Sequence, residues 1–204
     1  MFLLLIFLIC YLIAAINPAI LISKKVLGTD IRELGSGNAG TTNTYRVMGL
    51  PWAIVVFFLD LFKVFIAFVI TILLAKIFKQ DITFAKQIFA CSVVIGHCYP
   101  IYYGLKGGKG VATAIMAFLL IDPKLAGICI TAGIFVLLTT GMVSAASLSG
   151  VILLSILTGF LAPQYFVATL FVTLLILFKH RKNVARILAG EENRVLWKNR
   201  NKKQ

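Results

Sequence analysis

The sequence predicts an all-α integral membrane protein of seven transmembrane helices, with the N-terminus outside and the C-terminus cytoplasmic. Three observations predict it. Apolar residues make up 60% of the chain and charged residues only 13%, with a mean hydropathy of +0.99, which excludes an ordinary soluble domain. Apolar runs near the ~20 residues that span a bilayer recur with short loops between them. The basic residues divide unevenly between alternate loops. The 204 residues read as a single membrane-embedded domain over 1–204, with a basic tail over 195–204 that is a candidate for disorder.

Apolar segments fall near 2–22, 48–78, 84–103, 111–121, 125–140, 143–161 and 164–179. Backbone groups in lipid must be paired within the chain, so helices are expected rather than open strands. The first segment lacks a basic start and carries Asn17-Pro18 instead of a small-residue cleavage site, so it reads as a retained helix and not a signal peptide. The second is longer than a straight span needs; it tilts or begins outside the lipid. Within it, Asp60 and Lys63 stand three apart and are expected to pair. Asp122-Pro123 turns between two short segments over 111–140, which are open to two readings: two short spans or a re-entrant hairpin. Either returns the chain to the same face. The four cysteines (Cys10, Cys91, Cys98, Cys129) lie in apolar stretches without metal-site spacing and read as small buried hydrophobes.

With the N-terminus outside, one face collects Lys24, Lys25, Arg32, Arg46, Lys106, Lys109 and nine basic residues over 179–203. The other face holds Lys76, Lys79, Lys86 and Lys124. Fifteen against four, with Lys63 inside a span, is the positive-inside pattern. Most of the net charge of +13 thus lies on the cytoplasmic face, where it attracts anionic lipid and small anionic substrates.

That face also collects the chemistry. Residues 35–46 (GSGNAGTTNTYR) combine three glycines with Ser36, Asn38, Thr41, Thr42 and Asn43, and end on Arg46, a guanidinium able to take a phosphate bidentately. A solvated turn into the second helix, capped by Asn43 or Thr44, would have the same composition. Residues 105–111 (LKGGKGV) place Lys106 and Lys109 among Gly107, Gly108 and Gly110, where backbone amides can approach an anion closely. No Ser or Thr follows Lys109 and no strand precedes, so nucleotide hydrolysis is not expected; phosphate binding at the start of the following helix is. His97 and His180 are the only histidines and no carboxylate cluster accompanies them, so no metal site is expected. The spacing of His180, Asn183 and Arg186 puts them along one helical face. Ser144 and Ser147 suit ligand binding or bonding back to their own helix, and no nucleophile elbow surrounds either.

Three segments together resemble the integral-membrane acyl-phosphate:glycerol-3-phosphate acyltransferases, the PlsY family: GSGNAGTTNTYRVMG at 35–49, GHCYPIYYGLKGGKGVAT at 96–113 and HRKNVARILAGEE at 180–192. Leu105 departs from the family's usual aromatic before the lysine–glycine run, and Met142 and Ala146 alter the serine segment. The resemblance implies seven transmembrane helices in the bacterial cell membrane with the active site at the cytoplasmic face. It implies transfer of an acyl group from acyl phosphate to the 1-hydroxyl of sn-glycerol 3-phosphate, giving lysophosphatidate and phosphate for phospholipid synthesis. No cofactor, metal or nucleic acid is implied, and a soluble phosphate acyltransferase would supply the donor. By matching position, Ser36, Arg46, Lys106, Ser144, His180 and Asn183 would surround the two phosphates, with Ser144, His180 and Asn183 positioning substrate or handling a proton. Gly107, Gly108 and Gly110 would form the phosphate loop, and Asn38, Asn43, His97 and Lys109 would shape it. Glu192 would order the tail or orient basic residues. His180 has the pKa range of a general base, but no carboxylate or second histidine is placed to orient it, which favours a substrate phosphate as the proton acceptor. The rival reading is a membrane transporter of a small phosphorylated anion; polar clusters on one face rather than at the midplane speak against it.

Overall fold

The computed structural model describes residues 2–195, which are helix, turn and loop with no strand among them. The basic tail expected over 195–204 lies, beyond Val195, outside the described residues. Five helical stretches are long and apolar enough to cross a membrane: Phe2–Leu27, Leu50–Ile77, Ile82–Tyr103, Pro123–Thr140 and Val143–Leu161. Pro163–Lys179 with Arg181–Leu188 makes a sixth, bent by 64°. The apolar helix Val111–Ile121 is shorter. Its 11 residues rise ~16 Å, about half the hydrocarbon thickness.

The chain divides into two compact units, Met1–Ile121 and Asp122–Gln204, at the Asp122-Pro123 turn. In the first, α1 (Phe2–Ala15) and α2 (Pro18–Leu27) replace the single helix expected over 2–22. Pro18 has no N–H to continue the ladder and suits the first position of a new helix, while the Asn17 side chain accepts from the Ile20 amide at 3.1 Å. The polar segment before the second span is not all loop: it forms α3 (Thr41–Met48), followed by α4 (Leu50–Ile77). Gly40 caps α3 with its backbone; Asn43 and Thr44 do not, and Thr44 bonds back to the Gly40 carbonyl at 3.2 Å. Next come α5 (Ile82–Cys98), opened by Asp81 accepting from the Thr83 and Phe84 amides, and α6 (Val111–Ile121).

The pattern of α4 shows what holds this unit. Its buried residues are Ala53, Val56, Asp60, Lys63, Val64, Ala67, Thr71 and Ala75, a helical stripe of small and polar groups. Phe58, Phe62, Leu73 and Ile77 point outward. Lipid is as apolar as a leucine side chain, so helices associate through close packing of small residues and through polar contacts. The α1–α5 pair does the same. A Cβ on Gly96 would come within 2.5 Å of the Tyr11 carbonyl and 3.0 Å of Ala14, so only glycine allows this approach. Cys10 Sγ lies 3.2 Å from Thr71 Oγ1, burying a thiol against α4 without a disulfide.

In the second unit, α7 (Pro123–Thr140) starts on an Asp122 side chain that accepts from the Leu125 amide at 3.1 Å. It packs on α8 (Val143–Leu161), which packs on α9 (Phe166–Lys179). Polar contacts again join the helices: Thr158 and Thr169 hydroxyls meet at 2.7 Å, and Thr173 donates to the Val151 carbonyl at 2.9 Å. The chain turns sharply at His180 into α10 (Arg181–Leu188).

Candidate active site

In the first unit the loop after α2 is built around Asp30 and Arg32. The Arg32 guanidinium forks onto Asp30, Nε to Oδ1 at 2.9 Å and Nη2 to Oδ2 at 2.8 Å. Its Nη1 donates to the carbonyls of Tyr103 at 2.7 Å and Lys106 at 2.9 Å. The Arg32 hydrogen bonds hold the Asp30 carboxyl down to about 2, outweighing the upward push of burial. Sequence reasoning counted Arg32 only as loop charge. The Asp-x-Arg spacing across a short helical turn was the available signal.

Asn43 organises the first motif. Its Oδ1 accepts from the Ser36 amide at 2.8 Å and hydroxyl at 3.1 Å, while Nδ2 donates to the carbonyls of Ile31 and Leu34. Its amide is therefore committed to the loop backbone, and it presents Ser36, which is exposed, as is Arg46 on the last turn of α3. Asn38 is half-buried beside Gly40.

The second motif folds back on the end of α5. The Gly107 and Gly108 amides donate to the Cys98 and His97 carbonyls at 3.2 and 3.1 Å. A Cβ on Gly107 would collide with the His97 carbonyl, and one on Gly108 with His97 Nε2 and the Ala39 carbonyl. Both glycines are required by close approach, and the Ala39 contact binds one motif loop to the other. Gly110 precedes α6, Lys106 is exposed and Lys109 half-buried. The positive dipole end of α6 follows directly. Two hydroxyls stand out, Thr41 from the donor-rich first motif and Thr113, which the sequence did not single out. Thr41 and Thr113, in the first turns of α3 and α6, keep buried Oγ1 atoms without a hydrogen bond among the described residues.

In the second unit Glu192 is the centre. Its Oε1 accepts from Ser144 Oγ at 2.8 Å and Asn183 Nδ2 at 2.7 Å, and its Oε2 from Arg186 Nε at 2.7 Å. Burial pushes this carboxyl up, but the three donors outweigh it and hold it below the usual carboxylate range. The Val195 amide donates to the Gly141 carbonyl at 2.8 Å, returning the segment after α10 to the start of α8. Ser147 instead bonds back to Val143 at 2.8 Å. His180 stands at the bend, and its Nδ1 is 2.9 Å from the Ile176 carbonyl. A carbonyl only accepts, so Nδ1 carries the proton and donates. The orienting group expected to be missing is thus a backbone carbonyl.

Lipid-facing helices and small-residue seams define the class: a multi-pass integral membrane protein of α-helices. The family model for glycerol-3-phosphate acyltransferase matches residues 4–190, and the chain belongs to this family. It is 38% identical over 191 residues to the glycerol-3-phosphate acyltransferase of Halalkalibacterium halodurans, covering 91% of each chain. It is 38% identical to that of Staphylococcus saprophyticus, covering 92% of this chain and 95% of the other. The crystal structure of PlsY (YgiH), an integral membrane glycerol 3-phosphate acyltransferase in its glycerol 3-phosphate form, superposes with a TM-score of 0.84 at 32% identity over 94% of each chain. The lysophosphatidic acid form of that protein gives 0.81 at 31% identity, again over 94% of each. The chain is accordingly a glycerol-3-phosphate acyltransferase.

Proposed function

We propose that the chain transfers an acyl group from acyl phosphate to the 1-hydroxyl of sn-glycerol 3-phosphate, releasing 1-acyl-glycerol 3-phosphate and inorganic phosphate. The observation that carries this reading is the mutual anchoring of the two motif loops, through Arg32 on the Lys106 carbonyl and Ala39 against Gly108. It places the loop of Ser36, Asn38, Asn43 and Arg46 beside the glycine loop with Lys106, Lys109 and the start of α6. Two phosphates repel each other, and cations with fixed amides offset that repulsion while orienting the hydroxyl, effects worth about several kcal/mol of barrier. The solved relative with glycerol 3-phosphate bound supports the substrate, and its lysophosphatidic acid form the product.

In the transfer, the hydroxyl oxygen bonds to the acyl carbon, and the acyl–oxygen bond to phosphate breaks with its electron pair leaving on phosphate. The proton goes to His180 Nε2. With Nδ1–H held on the Ile176 carbonyl, the neutral ring has its lone pair on Nε2, the arrangement a general base needs. Ser144 and Asn183 are set by Glu192, and because the single Ser144 hydroxyl proton is on Glu192, Ser144 serves by position and by its lone pairs.

The positive-inside count supports an odd number of crossings, seven with α6 as a short span, with the N-terminus outside, the C-terminus inside and catalysis at the cytoplasmic face of a bacterial cell membrane. A soluble phosphate acyltransferase supplying the donor fits the chemistry. The test is transfer of labelled glycerol 3-phosphate into lysophosphatidate by the purified protein, with acyl phosphate, acyl-CoA and acyl carrier protein compared as donors. Product from acyl phosphate alone is expected. Glycerol 3-phosphate uptake into liposomes with no product from any donor would overturn it.

A further inference from the structure

Asp60 and Lys63 are buried on α4, at 1% and 6% exposure, and nothing in the proposed reaction uses them. An isolated i, i+3 pair would need only each other. Lys63 has more. Its Nζ lies 2.8 Å from Asp60 Oδ1, donates to the Ile16 carbonyl at 2.7 Å, and stands 3.2 Å from His97 Nδ1. The Ile16 carbonyl is available because of the break between α1 and α2. In an unbroken helix it would accept from the Ile20 amide, but that amide donates to Asn17 Oδ1 instead. An ammonium has three N–H groups and no acceptor, and three partners surround it. His97 Nδ1 also stands 3.4 Å from Asp60 Oδ1, so both charged groups of the pair face this nitrogen, while Nε2 of the same ring faces Gly108.

The contacts close into a ring. His97 accepts from the Gly108 amide through its carbonyl; Gly108 lies against the Ala39 carbonyl; that carbonyl accepts from Asn17 Nδ2 at 3.2 Å; and Asn17 adjoins Ile16. We propose that Asp60 and Lys63 are positioning residues, which set the glycine loop through His97 and tie it to the first motif loop through the break in the first span. A buried ion pair by itself is a weak source of stability, since apolar replacements are often as stable, and charge at membrane depth is costly. Placed at the junction of the helix break and the loop, it fixes geometry. The inference rests on reading loop 107–110 as a phosphate-binding loop.

The experiment measures transfer rates against glycerol 3-phosphate concentration, with thermal midpoints in detergent, for wild type, Lys106→Ala, Lys63→Gln and the double variant Asp60→Asn/Lys63→Gln. The double variant removes both charges together and so leaves no unpaired buried ion. It is expected to keep its midpoint within a few degrees while KM for glycerol 3-phosphate rises ~tenfold or more, the size of effect that outlying support of a site commonly has. A folded double variant with KM and kcat within about twofold of wild type overturns the proposal, as does a lowered midpoint with KM intact, which marks a merely structural pair. If Lys106→Ala is as active as wild type, the loop reading itself fails, and the proposal with it. Should neither Lys63 variant fold, nitrogen-15 spectra of the wild type decide, since it holds only two histidines. A single fixed protonation state at His97 Nδ1 supports the network, and the averaged nitrogen shifts of a freely exchanging ring overturn it.

Discussion

The two polar clusters are held by opposite means. In the first unit the motif loops are anchored by backbone: carbonyls of Tyr103, Lys106, His97, Cys98 and Ala39 receive guanidinium or amide groups or press on glycine. In the second unit one carboxylate, Glu192, gathers three side chains at once. Backbone anchoring depends on shape, and titration enters it only through the Asp30 carboxylate that holds Arg32. A carboxylate hub depends on charge and fails together at all its spokes.

The largest effect is expected where shape alone matters. Gly108→Ala puts a Cβ into His97 Nε2 and the Ala39 carbonyl, displacing both loops, and transfer should fall ~hundredfold or more while the helical content by circular dichroism is kept. Next comes the hub. Glu192→Ala leaves Ser144, Asn183 and Arg186 without their common acceptor, and kcat should fall ~10–100-fold. Glu192→Gln keeps a neutral acceptor and should lose distinctly less, and equal losses would show that the ionised form is what counts. Arg32→Lys keeps the charge but loses the fork, so only a ~fivefold rise in KM for glycerol 3-phosphate is expected from loosening Lys106. The smallest effect is the acid response of the Asp30–Arg32 clamp. The Asp30 carboxyl is lowered in the folded state, so its contribution is fully present above the ordinary carboxylate value of about 4 and is lost as pH falls towards about 2. Hydrogen exchange of residues 103–106 should therefore be flat from neutral pH to about 5 once corrected for intrinsic rates.

What the sequence made legible follows its physics. Long apolar runs reported α4, α7 and α8 closely, because the lipid requirement acts on every residue of a span. Asn17-Pro18 was read inside one helix over 2–22, so the break there was missed, and the extension of α2 through Ser23, Lys24 and Lys25 was hidden because those residues read as loop. In the fold Ser23 is buried, accepting from the Ile31 amide at 2.9 Å. α3 was hidden in the same way by its threonines and asparagine. The i, i+3 spacing announced the Asp60–Lys63 pair, but His97 as a third member needed the packing of α5 on α4. The Ile176 carbonyl that orients His180 had no sequence signal at all, since every residue carries one.

The inverted stripe of α4 also sets which substitutions this helix can absorb. At Phe58, Phe62 and Leu73 the neighbour is fluid hydrocarbon, so any apolar side chain serves and truncation leaves no void in the protein. Ala53, Ala67 and Ala75 are buried within the protein, and each added methylene must displace packed neighbours. The mutational tolerance of α4 therefore runs opposite to that of a helix in water: its alanines are the anchors and its phenylalanines the interchangeable parts.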